Sequence, residues 1–352
     1  MKKYDIAIIG GGVLGNTISY WLSNLYDLKI CVIDKEHDVA IHASTRNSGA
    51  IHYPFYLDSK LKKNFARAAF LSHSMWKVLA AKKKIPWVQG GTIEIALDES
   101  QHKTLEKYMI WGKENGLTEE EISILDTNQV RQKEPNVDCY SGLYCTKEGS
   151  TNYGLLTHAV KELAKNSGID FLFKHNVDHV TESSGETNII FSDKSSLVAK
   201  FVINCSGGNS LDIAKKFGLL EGYADLHFRG EYWVANTDIA DLVKTNIYTV
   251  PRYTEFPFLD PHWIKRANGE TEIGPNAVPV DSPESYDSFI KDIPTALSKI
   301  TDIVTGSAKK LLVNPQFISL LSKEFHSSIS KSAMVERAVS YTHLRAHETE
   351  AD

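Results

Sequence analysis

The stretch that decides the fold runs from Tyr4 to Gly15 and reads YDIAIIGGGVLG. An apolar, β-branched run ends in the pattern G-x-G-x-x-G, and an amphipathic stretch typical of a helix follows it. About twenty residues further on, a second apolar run, Ile30 to Ile33, ends in Asp34. Strand, glycine turn, helix, strand and acid in this order predict a βαβ unit that binds a dinucleotide.

The three glycines of the turn have different tasks. Gly10 lets the chain turn sharply, Gly12 lets the backbone approach a pyrophosphate, and Gly15 lets the helix pack close to the strand. The N-terminus of that helix offers N–H groups and a partial positive charge to the phosphates. Asp34 is placed to accept hydrogen bonds from ribose hydroxyl groups. A plain glycine turn in a βαβ unit would leave the position of this acid unexplained.

Composition excludes several classes of protein. The 352 residues suffice for two hydrophobic cores, and a net charge of −5 argues against a nucleic-acid partner. No apolar run has the length of a membrane span, and the N-terminus leads directly into strand residues, so we expect neither a transmembrane segment nor a signal peptide. These features favour a cytoplasmic protein and leave open a peripheral contact with the inner face of the membrane. The four cysteines form no C-x-x-C pair, and we expect no metal site.

Strand and helix patterns alternate in the first part of the chain, whereas consecutive strands follow residue 219. The first pattern predicts a doubly wound α/β sheet, and the second predicts a mixed α+β domain interleaved with it. Residues 90–97 alternate in the manner of a half-buried strand, and the sequence TEEE at 118–121 is typical of a helix start. A predicted buried strand ends in Ser206 and Gly207. The turn there is either a second place where the backbone contacts a cofactor or a plain strand–helix turn.

Three further motifs carry a family resemblance. They are STRNSGAIH at 44–52, FRGEY at 228–232 and EIGPNA at 272–277. Together with the N-terminal glycines, they resemble FAD-dependent oxidoreductases of the D-amino-acid oxidase superfamily. Within it they are most similar to the L-2-hydroxyglutarate dehydrogenase/oxidase branch, over about residues 4–337.

The resemblance implies FAD as the cofactor and a Rossmann-like FAD-binding domain interleaved with a mixed-sheet substrate domain. It assigns residues 1–85 and 150–218 to the FAD-binding domain and residues 86–149 and 219–337 to the substrate domain. It further implies that FAD contacts Gly10, Gly12, Gly15, Asp34, Ser44, Thr45, Arg46, Asn47, Ser48, Val177, Ser206 and Gly207.

The implied reaction is oxidation of a 2-hydroxy acid, with L-2-hydroxyglutarate as the first candidate, by hydride transfer to flavin N5. A quinone or O2 would then take the electrons. His52 is the leading candidate for the general base, because a neutral imidazole accepts an alcohol proton near neutral pH. Its alternative role is to order the flavin loop. Arg229, Tyr232 and His262 are candidates for contacting the substrate, and each has a purely structural alternative.

Some positions depart from the branch. Tyr53 and Pro54 replace small residues and are expected to reshape the pocket floor. Asp260 would repel a dicarboxylate if it faced the pocket. Residues 338–352 do not match the family and resemble translated adapter sequence. We therefore expect a non-native tail and a C-terminally truncated FAD domain.

Other functions remain open at this stage. Within the same chemistry, they are an amino-acid or amine oxidase and a glycerol-3-phosphate-type dehydrogenase. A non-catalytic FAD-binding fragment belongs to another class. An NAD-dependent dehydrogenase is disfavoured by the flavin loop at 44–49.

Overall fold

A computed structural model of the chain describes residues 2–236, 240–252, 260–291, 293–305 and 309–342. The chain forms two units, each assembled from separate segments. The first comprises Met1–Asn47, Asn152–His227 and Val280–Val313, and the second comprises Ser48–Thr151, Phe228–Pro279 and Asn314–Asp352.

In chain order, the strands are β1 (Lys2–Ile9), β2 (Ile30–Ile33), β3 (Ala50–Ile51), β4 (Trp87–Val88), β5 (Thr92–Ala96), β6 (Ile122–Asp126), β7 (Ser141–Cys145), β8 (Gly149–Thr151), β9 (Asp170–Leu172), β10 (Val177–Ser183), β11 (Glu186–Phe191), β12 (Ser196–Asn204), β13 (His227–Val234), β14 (Asn246–Thr249), β15 (His262–Lys265) and β16 (Thr271–Val280). The helices are α1 (Val13–Leu25), α2 (Lys63–Lys83), α3 (Glu99–Glu114), α4 (Thr127–Lys133), α5 (Tyr153–Asn166), α6 (Ser210–Lys216), α7 (Ile293–Thr305), α8 (Lys309–Leu312), α9 (Pro315–Ile329) and α10 (Lys331–Thr342).

The first unit is built on a six-stranded sheet in the order β10-β11-β12-β1-β2-β9. Strands β12, β1, β2 and β9 are parallel, and β10 and β11 add an antiparallel hairpin. Ile8, Ile30 and Val32 pack with residues of α1 and α5, while Ala7, Cys31 and their neighbours form a second core on the other face. A parallel sheet covered on both faces confirms the predicted doubly wound fold.

The second unit contains a seven-stranded mixed sheet in the order β13-β16-β15-β14-β5-β7-β6. Strands β14 and β5 are parallel, whereas the β14–β15, β15–β16, β5–β7 and β6–β7 pairs are antiparallel. A small antiparallel sheet, β3-β8-β4, belongs to the same unit. The predicted α+β character of this domain is therefore present.

The division of the chain differs from the predicted boundaries. Residues 48–85 belong to the second unit, because β3 pairs with β8 and places the loop after it beside Glu148. Residues 280–313 belong to the first unit, although the sequence offers no long break before them.

Two local predictions also differ. The Thr118 backbone N–H donates to Glu121 Oε2, as in a helix start, but the chain continues into β6 instead of a helix. Residues 338–342 continue α10, and Ala338 is fully buried in the core of the second unit, whereas residues 343–352 lie outside the described part. Within the described ranges, no helix combines the length and apolar character needed to cross a membrane.

Candidate active site

The first unit has a cavity of about 430 Å³ at the carboxyl ends of β1, β2 and β12. This edge of a parallel sheet is where doubly wound folds bind nucleotides. Among its lining residues are seven that the sequence assigned to the cofactor: Gly10, Gly12, Asp34, Ser44, Val177, Ser206 and Gly207.

Close contacts with neighbouring backbone atoms explain why two positions of the turn require glycine. A Cβ atom on Gly10 would lie 2.2 Å from the carbonyl oxygen of Cys205, so only glycine lets β1 and β12 end side by side. A Cβ atom on Gly15 would lie 1.9 Å from the Gly10 carbonyl oxygen. Gly15 does not line the cavity, and its role is the close packing of α1 on β1, as the fingerprint predicts.

The ends of α1 and β2 are arranged for an anion and a ribose. Helix α1 begins after Gly12 without a side-chain cap and without an acidic residue in its first turn, so its positive end is not neutralised within the helix. Asp34 accepts hydrogen bonds from the backbone N–H groups of Gly11 (2.6 Å) and Glu36 (2.9 Å). Its remaining lone pairs are available to hydroxyl groups.

The predicted flavin loop has internal contacts of its own. The Ser44 hydroxyl accepts the N–H of Val13, and the Arg46 guanidinium lies 3.9 Å from the centre of the Tyr286 ring. The Asn47 side chain donates to the carbonyl oxygens of Ala43 and Ser44. The loop also packs closely against α5, since a Cβ atom on Gly154 would lie 2.6 Å from Thr45 Cγ2.

Glu36, His42 and Glu284 bring three possible metal-ligand atoms within 4.8 Å of one another. These groups already have protein partners. His42 bonds Glu36 and the Tyr286 hydroxyl, and Lys35 and Lys291 both pair with Glu284. We therefore assign no metal to this cluster.

The second unit has its own cavity, of about 280 Å³, over the seven-stranded sheet. Its lining residues are Ser48, His52, Phe55, Tyr56, Thr92, Glu94, Tyr108, Glu148, Tyr232, Tyr248, Thr249, Pro251, Asp260 and His262. The set includes Ser48 from the predicted flavin loop and three predicted catalytic residues, His52, Tyr232 and His262.

One row across the sheet supplies the floor of this cavity. Glu94 on β5 is in register with Tyr248 on β14, and the neighbouring β15 places His262 beside it. The Tyr248 and His262 rings stack with their centres 4.3 Å apart. Gly274 on β16 is opposite His262, and a Cβ atom there would lie 2.7 Å from Tyr232 Cδ1. The glycine of the EIGPNA motif therefore makes room for the Tyr232 ring.

His52 is paired with a carboxylate from another strand end. Ile51 at the end of β3 pairs antiparallel with Gly149 at the start of β8. The residue after β3, His52, therefore lies opposite the residue before β8, Glu148. His52 Nδ1 lies 3.6 Å from Glu148 Oε1, and the Glu148 side chain is 1% exposed. Burial lowers the pKa of the imidazole, but the Glu148 carboxylate outweighs this effect and raises it above its ordinary value.

The pKa of His262 is shifted in the opposite direction to that of His52. Burial lowers the pKa of its imidazole to about 4, against the effect of its hydrogen bond with the Asp260 carbonyl oxygen, 3.0 Å from Nδ1. It is therefore neutral near neutral pH, with Nδ1–H donating to that carbonyl. Two histidines of opposite tendency thus line one cavity, a pattern typical of acid–base sites.

Other predicted positions lie elsewhere. The Arg229 guanidinium is paired with Glu231, with Nη2 2.6 Å from Oε1, and Arg229 is not among the lining residues. Tyr53 does not form the cavity floor, because its ring packs against Phe70 and His73 in the core. Asp260 does line the cavity, the arrangement that the sequence marked as unfavourable for a dicarboxylate.

The comparisons with known proteins agree with this geometry. A family model described as FAD dependent oxidoreductase matches residues 5–325. This chain belongs to that family. Its cofactor is FAD rather than NAD, and it is an FAD-dependent oxidoreductase, as the motifs predicted.

Two curated relatives share a name. The chain is 29% identical to the mitochondrial L-2-hydroxyglutarate dehydrogenase of Caenorhabditis briggsae over 345 residues, which cover 96% of this chain and 77% of the relative. It is 27% identical to the L-2-hydroxyglutarate dehydrogenase of Escherichia coli (strain K12) over 285 residues, which cover 80% of this chain and 66% of the relative.

Among solved structures, the fold is similar to L-alpha-glycerophosphate oxidase from Mycoplasma pneumoniae with FAD bound. The TM-score is 0.68 at 23% identity, over 86% of this chain and 78% of that chain. At this identity the likeness concerns the fold.

The residues of the first cavity fit the ADP part of FAD. The N-terminus of α1, where the N-cap Gly12 has no side chain to cap it, lies beside the glycine turn, and Asp34 lies at the end of the neighbouring strand. Gly10, Gly12, Ser44, Ser206 and Gly207 would surround the pyrophosphate, and Asp34 would bind the ribose.

Sequence reasoning missed three residues of the second cavity: Glu94, Tyr248 and Glu148. For Glu94 a signal was present, since an acid stands between two isoleucines in a strand. The alternation predicted a half-buried strand, whereas all five residues of β5 are buried.

Proposed function

We propose that this enzyme oxidises a 2-hydroxy acid to the 2-oxo acid, with L-2-hydroxyglutarate as the first substrate to test. The observation that carries the proposal is the His52–Glu148 pair at a cavity that also holds a neutral His262. The names of the relatives support the choice of L-2-hydroxyglutarate.

His52 takes the proton of the substrate hydroxyl group in this proposal. Glu148 stabilises the imidazolium that results, because a carboxylate at 3.6 Å favours the charged ring. His262 and Tyr232 orient the substrate by hydrogen bonds. FAD, when bound, supplies at N5 the acceptor for the hydride from C2, and a quinone or O2 takes up the electrons afterwards.

The test is a dye-reduction assay on the full chain loaded with FAD, with L-2-hydroxyglutarate, D-amino acids, sarcosine and glycerol 3-phosphate compared. We expect L-2-hydroxyglutarate to give the highest kcat/KM. His52→Asn is expected to lower kcat by about 10²–10⁴-fold, the usual contribution of a general base. His179→Asn, an exposed imidazole on β10, is the matched control. Equal rates for wild type and His52→Asn would contradict the role of His52.

A second candidate function is oxidation of an amine or amino acid. The observation that favours it is the charge of the second cavity, where Glu94, Glu148 and Asp260 are the charged side chains among the described lining residues besides histidine. Three carboxylates suit a substrate cation if all of them are ionised. A higher kcat/KM for sarcosine or a D-amino acid than for any 2-hydroxy acid would favour this alternative.

A further inference from the structure

Glu94 is a buried acid that faces the second cavity. It is 7% exposed and lies on β5 between Ile93 and Ile95, whose side chains join the core on the opposite face of the sheet. Glu94 is on the other face of the sheet, where it lies beside Tyr248, the residue that pairs with it on β14. Its side chain lines the cavity. Within the described residues, its carboxyl group has no hydrogen-bond partner.

Glu148, the neighbouring acid, has partners that stabilise its charge. Its Oε1 accepts the backbone N–H of Tyr53 at 2.7 Å and lies 3.6 Å from His52 Nδ1. Hydrogen-bond donors favour the charged form of a carboxyl group, whereas burial without them favours the protonated form.

We propose that Glu94 is a specificity-determining residue, which stays protonated and donates a hydrogen bond from its carboxyl group to a carboxylate of the substrate. This inference rests on the proposed oxidation of a 2-hydroxy acid. It explains how a cavity with three acidic residues accepts an anion: one of them acts as a neutral donor.

The electrostatics of the cavity agree with this assignment. Burial, and then the nearby Glu148 carboxylate, raise the pKa of Glu94 to about 8. Burial also raises the pKa of Asp260, against the effect of its hydrogen bond from the Arg252 N–H. The titratable and charged groups that face Glu94 from the surrounding elements are His52, Tyr56, Tyr108, Glu148, Tyr232, Tyr248, Asp260 and His262.

The proposal predicts how substrate affinity depends on pH. Below about pH 8, Glu94 is neutral and donates its hydrogen bond. Above that pH the carboxyl group loses its proton, the donor disappears and the new negative charge repels the substrate carboxylate. KM for L-2-hydroxyglutarate should therefore rise as pH increases through this range.

Two substitutions separate the donor from the charge. Glu94→Gln keeps a neutral hydrogen-bond donor of similar shape, so we expect a near wild-type KM at neutral pH and no rise at alkaline pH. Glu94→Leu removes the donor, and we expect its KM at neutral pH to be roughly tenfold or more above that of wild type, without a further rise at alkaline pH. Glu182→Gln, at an exposed position on β10, is the matched control.

Two readouts do not depend on turnover. The first is the affinity for 2-oxoglutarate, measured by its perturbation of the flavin absorption spectrum as a function of pH. The second is the infrared C=O stretching band of a protonated carboxylic acid, expected in the wild-type holoenzyme at neutral pH and absent from Glu94→Gln.

The outcomes distinguish this inference from the proposed function. If no 2-hydroxy acid reduces the flavin but 2-oxoglutarate binds with the predicted pH dependence and the band is present, the proposed reaction fails and the role of Glu94 stands. The inference is overturned if the band is absent, or if Glu94→Gln weakens binding as much as Glu94→Leu. It is equally overturned if the KM of wild type is unchanged above about pH 8.

Discussion

Two histidines of one cavity differ in their tendency to hold a proton. The carboxylate of Glu148 raises the pKa of His52, whereas burial lowers the pKa of His262 to about 4. The difference fits the separate roles proposed for them, with His52 as a proton acceptor and His262 as a neutral hydrogen-bonding group. The proposed role of His52 as the base therefore depends on Glu148, which lies 3.6 Å from His52 Nδ1.

The variant Glu148→Gln tests this pairing. Loss of the negative charge lowers the pKa of His52, so its basic form persists to lower pH. We expect the acid limb of the kcat/KM profile to move to lower pH and kcat to fall by about tenfold, because a weaker base accepts the proton less well. The measurement is the pH profile of flavin reduction by L-2-hydroxyglutarate.

Gln retains an oxygen that can accept the Tyr53 N–H, so Glu148→Gln should fold normally. Glu186→Gln, whose carboxylate pairs with Lys3 in the first unit, is a suitable control and should keep the wild-type profile. An acid limb that does not move in Glu148→Gln would show that Glu148 does not set the pKa of His52.

Sequence motifs predicted some of these residues and missed others for physical reasons. His52, Tyr232 and His262 stand in or near recognisable motifs, and all three line the same cavity. Glu148 and Glu94 acquire their roles only through strand pairing, which brings the end of β3 to the start of β8 and β5 beside β14. A single sequence does not specify which distant strands pair.

At the scale of the element, the β1–α1–β2 unit follows from local sequence. Its glycines, apolar runs and terminal acid lie within a short segment, and each feature acts on its neighbours. By contrast, β5 was predicted as half-buried, but all five of its residues are buried, because alternation does not distinguish a polar face in solvent from one that lines a buried cavity. The helix start predicted at Thr118 failed because its local hydrogen bond does not require a helix to follow.

The packing of α1 on β1 is expected to be intolerant of any side chain at Gly15. Gly15→Ala places a Cβ atom 1.9 Å from the carbonyl oxygen of Gly10, so the helix must move away from the strand. We expect a loss of about 1–3 kcal/mol or more in the free energy of unfolding, together with weaker FAD binding. Denaturant unfolding and flavin retention after gel filtration measure the two effects.

Gly222→Ala is the control for this substitution, because a Cβ atom there meets no other atom within 4 Å. It should unfold as wild type does and retain the flavin. Wild-type stability and flavin content in Gly15→Ala would contradict the close approach of α1 to β1.

At the scale of the molecule, each unit is assembled from separate segments of the chain. The two fold types were predicted, since strands that alternate with helices differ visibly from consecutive strands. The boundaries at residues 47 and 280 were not, because they depend on long-range contacts such as the pairing of β3 with β8. Ala338 was assigned to a non-native tail but lies in the core of the second unit.

The buried acid Glu94 should also affect the stability of the whole protein. Its pKa of about 8 in the folded state exceeds the ordinary 4.5, so its proton stabilises the folded form. This contribution is complete below the ordinary pKa and is lost as pH rises through about 8. As pH rises from about 5 to about 9, the free energy of unfolding of Glu94→Gln should increase relative to that of wild type by on the order of a few kcal/mol.

Chemical unfolding across this pH range, with Glu182→Gln as the control, gives the comparison. If the free energies of unfolding of wild type and Glu94→Gln differ by the same amount at all pH values in this range, the pKa of Glu94 is not raised in the folded state.

The reaction proposed for this FAD-dependent enzyme is the oxidation of a 2-hydroxy acid. The most direct measurement is the absorption spectrum of the FAD-loaded protein under anaerobic conditions, before and after L-2-hydroxyglutarate is added. We expect the flavin band to be bleached and 2-oxoglutarate to appear in an amount equal to the flavin reduced. A spectrum that is unchanged by L-2-hydroxyglutarate and by other 2-hydroxy acids, but bleached by an amine, would contradict it.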